Sequence, residues 1–302
     1  MQIGTNLFFD RSSAQLGALA DRNATLQTQI GTGKRLAAPS DDAVAYRRLQ
    51  TITRSAADDA TWTSNISHVQ TVLSQADSTL GNVTSQLQRA QELVVQANNG
   101  TLSDADRATI ATELRGIIDD LVGLANTKDA HGQPLFGSAT GDTAVTVDAA
   151  GVVSFTGTGD QASVPVGDGL SVRPSESAAR IFGGISAGGS NDVFALLSTF
   201  ASALESGGTV TGPAATAIDG LKTTLDQVST TRGSIGARGI RLDLESSRIE
   251  NAGVARESER SALEDTDISK TIIELQKTST ILQATQASLS KLSQLSLFDY
   301  LR

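Results

Sequence analysis

Apolar residues recur at alternating steps of four and three through one stretch: Trp62, Ile66, Val69, Leu73, Ala76, Leu80, Val83, Leu87, Ala90, Val94 and Ala97. This is the a/d spacing of a coiled-coil seam. No proline interrupts it, so the pattern predicts one long helix. A stripe this narrow serves other long helices rather than a thick rounded core. The rest of the chain must supply those partners.

The same spacing returns near the N-terminus. Phe9, Leu16, Leu19, Leu26 and Ile30 share a seam with Ser12 and Asn23 as its polar members. A polar Asn23 in such a seam sets register at some cost in stability. Gly31-Thr32-Gly33 then breaks the helix. Ser40 is expected to cap the next helix, with Asp41 and Asp42 in its first turn. Residues 41–56 read as a short helix leading into the long one. Asn98-Asn99-Gly100 predicts a left-handed end to it. Ser103 and Asp106 have capping-box spacing and open a further helix to about Lys128. Its seam is Ile110, Leu114, Ile117, Leu121 and Leu124, and the short turn before it predicts an antiparallel helical hairpin.

The periodicity then changes. Val145-Thr146-Val147, Val152 to Phe155, Ser163 to Val166 and Leu170 to Val172 alternate between Gly, Asp and Asn turns, predicting a small antiparallel β region. A helix capped by Ser190 or Asn191 follows, striped by Val193, Leu196, Leu197, Phe200 and Leu204 and closed by Gly207-Gly208. Ile218, Leu221, Leu225, Val228, Ile235, Leu242 and Ile249 share one further heptad frame, with Arg232, Gly239 and Ser246 between them. In the last segment Leu275, Leu282 and Leu289 recur every seven residues, with Ile281, Leu292 and Leu295 beside them.

The fold class this implies is mainly α: an elongated antiparallel bundle built from both ends of the chain, with a small β-rich insertion. The expected parts are an N-terminal assembly helix (1–40), the first half of a helical shaft (41–136) and the insertion (137–190). A helix with a Gly-rich linker (191–217), the second half of the shaft (218–265) and a C-terminal assembly helix (266–302) complete it. The shaft core is expected at Trp62, Ile66, Val69, Leu73, Leu80, Leu87, Ile110, Leu114, Leu121, Ile235, Leu242 and Ile249. Packing the two terminal segments on each other covers only one of the two stripes of the last one. The remaining apolar stripe calls for a neighbouring chain, so subunit assembly is expected at Phe9, Leu16, Leu19, Asn23, Leu26, Ile30, Leu275, Leu282, Leu289, Leu292 and Leu295.

Composition narrows the function. A net charge of -9 removes any electrostatic case for binding nucleic acid. Aromatics at 4% are too few to fill a rounded core. With no cysteine there is no thiolate metal site, disulfide or Cys nucleophile. No run of 18 apolar residues occurs, so membrane insertion is not expected, and the charged N-terminal stretch has no secretory h-region. Gly31 to Lys34 lacks Walker spacing, and Asp41 with Asp42 lacks further metal ligands. His68 beside the seam and His131 in a Gly turn form no catalytic signature. No enzyme, cofactor or metal site is expected. The insertion, where Phe155 and Arg173 stand alone, reads as a solvent-facing spacer.

Several motifs resemble the bacterial flagellin superfamily, across roughly 1–136 and 218–302. Gln29-Ile30-Gly31-Thr32-Gly33-Lys34-Arg35-Leu36-Ala37-Ala38-Pro39-Ser40-Asp41-Asp42 is similar to its N-terminal signature. Arg232-Gly233-Ser234-Ile235-Gly236-Ala237-Arg238 resembles its C-terminal helix, and Ser261-Ala262-Leu263-Glu264-Asp265-Thr266-Asp267 the junction before its last helix. Gly33-Lys34-Arg35, Pro39 to Asp42 and the ending Leu297-Phe298-Asp299-Tyr300-Leu301 are closer to the branch that joins hook to filament; Arg302 is flagellin-like. The resemblance implies an extracellular structural protein exported by the flagellar type III route without a cleaved signal. Its implied partners are hook-associated protein 1, flagellin, copies of itself in a ring, and an export chaperone on the C-terminal segment. The filament subunit itself is the alternative. Gln88 to Leu93 with Glu113 also resembles a flagellin surface read by an innate immune receptor, through Arg89, Leu93 and Glu113.

Overall fold

A computed structural model describes residues 2–137, 143–156, 161–183 and 192–300, with side chains 2–6, 8 and 292–300 left out. The described chain holds seven helices and two small sheets: α1 (Gln2–Thr32), α2 (Ala43–Ala97), α3 (Asp104–Ala125), β1 (Val145–Val147), β2 (Val153–Phe155), β3 (Val164–Gly167), β4 (Leu170–Val172), α4 (Ala178–Phe182), α5 (Val193–Ser206), α6 (Thr211–Glu264) and α7 (Ile268–Tyr300). The helices at 41–56 and 62–97 are one element, because nothing between Ala43 and Trp62 breaks a helix. Pro213 is tolerated in α6 because it sits in the first turn, where no backbone N–H is missed. The five-residue α4 has too few turns to carry a periodic signal and was not expected from the sequence.

The chain forms two compact units, Met1–Ala57 with Asn251–Arg302, and Asp58–Glu250. The second unit holds the large core. From Ile66 to Ala97 every expected seam residue of α2 is buried, and Trp62 packs against their cluster. Arg89 reaches Glu113, Gln86 reaches Asp120 and Gln75 reaches the Lys128 carbonyl, so α3 runs antiparallel to α2 as the short turn required. Asp77 pairs with Arg232 and Gln70 with Asp243, which sets α6 antiparallel to α2 on another side. Two partners demand a second stripe. Val72, Thr79 and Leu93 are buried off the first seam of α2, and Ala111, Ile118 and Ala125 off that of α3.

In α6, Leu221, Val228, Ile235, Leu242 and Ile249 are buried as expected. Between them, however, Thr224 and Thr231 are buried while Leu225 is only partly covered. Each threonine donates its hydroxyl to a carbonyl one turn back, Thr224 to Gly220 at 3.0 Å and Thr231 to Gln227 at 2.9 Å. That satisfies the polar atom and leaves a methyl for packing, so a hydropathy pattern overlooks it.

The β region is two antiparallel hairpins. Val145 opposes Phe155 in one, and Val164 opposes Val172 in the other. Asp168-Gly169, with Gly169 at φ 65°, makes the tight turn of the second. This region is not a detached spacer. Val145, Val153, Val166 and Val172 join the core cluster, and Phe155 lies 6.0 Å from Phe194, which lies 5.5 Å from Phe182. These phenylalanines meet from distant segments, which a scan for local aromatic clusters misses. Asn126 fastens β1 to the end of α3, exchanging two hydrogen bonds of 3.0 Å with the Val145 backbone.

Leu87 is fully buried in the α2 seam. Leu87→Ala should lower stability by about 2–5 kcal/mol, and Val95→Ala, at 58% exposure, by less than about 0.5 kcal/mol. Thermal or urea unfolding of both variants measures the difference.

Candidate functional site

The N-terminal signature and the segment before α7 form one joint inside the first unit. Gly33 takes φ 70°, a left-handed conformation that ends α1 and that a side chain would strain. Its carbonyl accepts the Thr266 N–H at 2.9 Å, and the Arg35 N–H donates to the Glu264 carbonyl at 2.6 Å. Lys34 Nζ lies 2.5 Å from Glu264 Oε1, and Arg35 Nη2 donates to the Leu263 carbonyl at 2.8 Å. Leu36 is buried beneath.

The paired aspartates divide the remaining work. Asp41 Oδ2 accepts the Ala38 and Ala37 N–H groups at 2.9 Å each, closing the turn. Asp42 Oδ1 accepts the Val44 and Ala45 N–H groups at 3.0 Å each. Asp42, not Ser40, therefore caps α2. Similarly Asp192 caps α5, accepting from Phe194 and Ala195; Ser190 and Asn191 lie outside the described residues. Ser103 and Asp106 make the expected capping box. Gly100 does not take a left-handed φ; Asn99 instead turns the chain by accepting from Thr101.

Charge pairs lock this unit. Arg22 meets Glu274 at 2.5 Å, Arg48 meets Glu259 at 2.5 Å, and Arg260 meets Glu264 at 2.7 Å. The hydrogen bonds from Ala38, then Ala37, hold the Asp41 carboxyl below its usual pKa. Lys34 first, with Arg260, does the same for Glu264. Arg48 lowers Glu259, and Arg22 lowers Glu274.

α1 packs antiparallel on α7, and its seam lies on the covered side. Leu26 is buried, and Phe9, Leu16, Leu19, Asn23 and Ile30 are half-buried. Leu275, Leu282 and Leu289 are half-buried on α7, with Thr271 buried one turn before them and Thr278 buried between the first two. Asn23 accepts from Gln27 of its own helix at 3.2 Å. Leu292 and Leu295 fall in α7 outside the described side chains. What stays uncovered is Leu7, Ile268, Ile272, Ile273 and Ile281. Among its described side chains this unit buries four apolar residues, Leu26, Leu36, Ala45 and Ile52. It exposes seven large ones, those five with Val44 and Val254.

In the second unit the arginines of the C-terminal signature also have partners. Arg232 grips Asp77 at 2.8 Å, and Arg238 bonds the Arg173 carbonyl at 2.9 Å and the buried Glu176 carboxylate. Arg173 is therefore not isolated. Of the three residues compared with a receptor surface, Arg89 and Glu113 are paired with each other and partly exposed. Leu93 is 1% exposed and belongs to the core, which corrects its placement at a surface. One cluster was missed from the sequence. His68, Asp129 and His131 come together, with ring centroids of the two histidines 5.1 Å apart. The hairpin register, which brings Gln75 to Lys128, carries that signal, but only once α3 is known to fold back on α2.

The model of the bacterial flagellin N-terminal helical region matches residues 3–140, and that of the bacterial flagellin C-terminal helical region matches 218–301. The chain belongs to the bacterial flagellin family. Among similar proteins is flagellar hook-associated protein 3 of Escherichia coli K12, 30% identical over 90% of each chain. That of Salmonella typhimurium is 29% identical over 99% of each, and a Listeria monocytogenes flagellin 30% over 97% of this chain and 95% of its own. A Vibrio parahaemolyticus structure titled as a putative flagellar hook-associated protein shares the fold at TM-score 0.68 and 23% identity. It covers 74% of this chain and 100% of that one. In the flagellin family the two signatures thus correspond here to the joint and to the arginines of α6.

Asp41 and Glu264 of the joint are held below their usual pKa in the folded unit. Their contribution is complete above the unfolded value and is lost as pH falls through the lowered one. Stability should therefore drop between about pH 5 and 3, and less so in Glu264→Gln. Acid titration followed by circular dichroism tests this; an unchanged acid response in the variant removes Glu264 from the account.

Proposed function

We propose that this chain is a structural subunit of the flagellum at the junction between hook and filament, working as the hook-associated protein 3 relatives are named to do. The observation that carries the reading is the first unit, which among its described side chains exposes more large apolar residues than it buries. Such a unit is completed by neighbours, because each covered Leu or Ile gains roughly 1.5–3 kcal/mol. Phe9, Leu16, Leu19, Asn23, Leu26, Ile30, Leu275, Leu282, Leu289, Leu292 and Leu295 form the terminal helix pair. The exposed isoleucines around it receive adjacent subunits in a ring, hook-associated protein 1 on one side and flagellin on the other. The chain is exported without a cleaved signal, its C-terminal segment held beforehand by a chaperone. It works by packing and carries out no catalysis.

The similarity to Listeria flagellin over nearly the whole chain favours a second reading, the filament subunit. Deleting the gene separates the two. Hooks without filaments, with flagellin shed into the medium, support a junction role. Seeded growth of micrometre filaments from the purified chain alone supports the filament subunit and overturns it.

Ile273 is 67% exposed. Ile273→Asp should leave thermal unfolding within about 0.5 kcal/mol of wild type yet abolish complementation of motility in the deletion strain. Normal swimming would remove this face of α7 from the assembly surface.

A further inference from the structure

The chain has two histidines in 302 residues, and they meet. His68 comes from α2 and His131 from the loop after α3. Their rings are set edge to face, 75° apart in plane. Between them in function stands Asp129, whose side chain is 11% exposed while that of His131 is 69% exposed. One nitrogen of each ring and one carboxylate oxygen of Asp129 lie within 4.8 Å of one another.

The loop is built to hold that carboxylate still. Asp129 Oδ1 accepts the His131 N–H at 2.8 Å and the Gln133 N–H at 2.9 Å. The Asp129 N–H donates to the Gln133 carbonyl at 2.8 Å, and its carbonyl accepts Gly132 N–H at 3.0 Å. Gly132 at φ 77° permits the tight turn. Gln75 of α2 clamps the Lys128 carbonyl at 2.9 Å. One carboxylate oxygen is thus committed to the backbone, and Oδ2, 3.9 Å from His131 Nδ1, faces the ring.

We propose that His68, Asp129 and His131 form a binding site for a divalent transition-metal ion of the zinc class, which ties the loop after α3 to α2. Two imidazole nitrogens and one carboxylate oxygen suit Zn2+, and after it Cu2+ or Ni2+, rather than the all-oxygen preference of Mg2+ and Ca2+. Zinc–ligand bonds of about 2.0–2.2 Å require the three donors to draw inward. The exposed His131 side chain has the freedom to rotate, while the hydrogen bonds to Asp129 act as the outer support that orients a ligand. Three protein ligands leave a coordination position for water. The ion would join two segments that are 63 positions apart in sequence, so it would stabilise the folded unit by mass action.

The test is a titration of the metal-stripped full chain with Zn2+ in competition with a chromophoric chelator, alongside thermal unfolding with and without Zn2+. One equivalent should bind, and saturating Zn2+ should raise the melting temperature. His68→Gln and His131→Gln should each weaken binding by about tenfold or more and lose that rise. His131→Phe keeps an aromatic ring against His68 but removes the donor, so it should fail to bind while melting like the metal-free wild type. Binding of less than one equivalent, or wild-type affinity in any of the three variants, overturns the site. A variant that does not fold by circular dichroism is replaced by Asp129→Asn, which removes the ligand charge and should also weaken binding.

Discussion

Everything in the larger unit depends on the apolar seam of α2. Most of the stability of this 55-residue helix comes from covering its apolar face. Here α3 and α6 cover it from two directions, each held in antiparallel register by polar pairs outside the apolar contact. Apolar burial supplies the free energy, and Gln86 with Asp120 or Asp77 with Arg232 fixes which turn faces which. Exposed pairs of this kind contribute little stability, so their role is positional.

Heptad spacing made most of this legible. It located α2, α3, α6 and α7, and it identified the buried seam of α2 residue by residue. It did not show the second buried stripe of α2, because that stripe includes Thr79, with the small Ala111 and Ala125 on α3, and these carry little hydropathy. Leu93 was therefore misplaced at a surface. The insertion was misjudged for a related reason: Phe155, Phe182 and Phe194 are solitary in sequence and adjacent only after folding.

Helix ends were partly legible. The Ser103 box is local and self-contained, and it was read correctly. In Ser40-Asp41-Asp42 three residues could cap, and the choice fell to the geometry of the joint, which draws Asp41 back to the Ala37 and Ala38 amides and leaves Asp42 for α2. The pairing of the signature at Gly33 to Arg35 with Leu263 to Thr266 joins segments some 230 positions apart. Only a family resemblance marked both ends, and it gave no reason for their meeting. The histidine cluster was invisible for the same cause.

The threonines of α7 set the character of the terminal pair. Thr271 returns its hydroxyl to the Asp267 carbonyl at 2.8 Å and offers its neighbour a methyl, where a leucine would offer an interlocking knob. A methyl opposes sliding less than the half-buried Leu275, Leu282 and Leu289 beside it do. The ionic contact of Arg22 with Glu274 then helps to align α1 on α7. Such contacts fade with ionic strength over a Debye length of about 10 Å at 0.1 M salt. Brine and fresh water would therefore give the two helices different freedom to shift along each other.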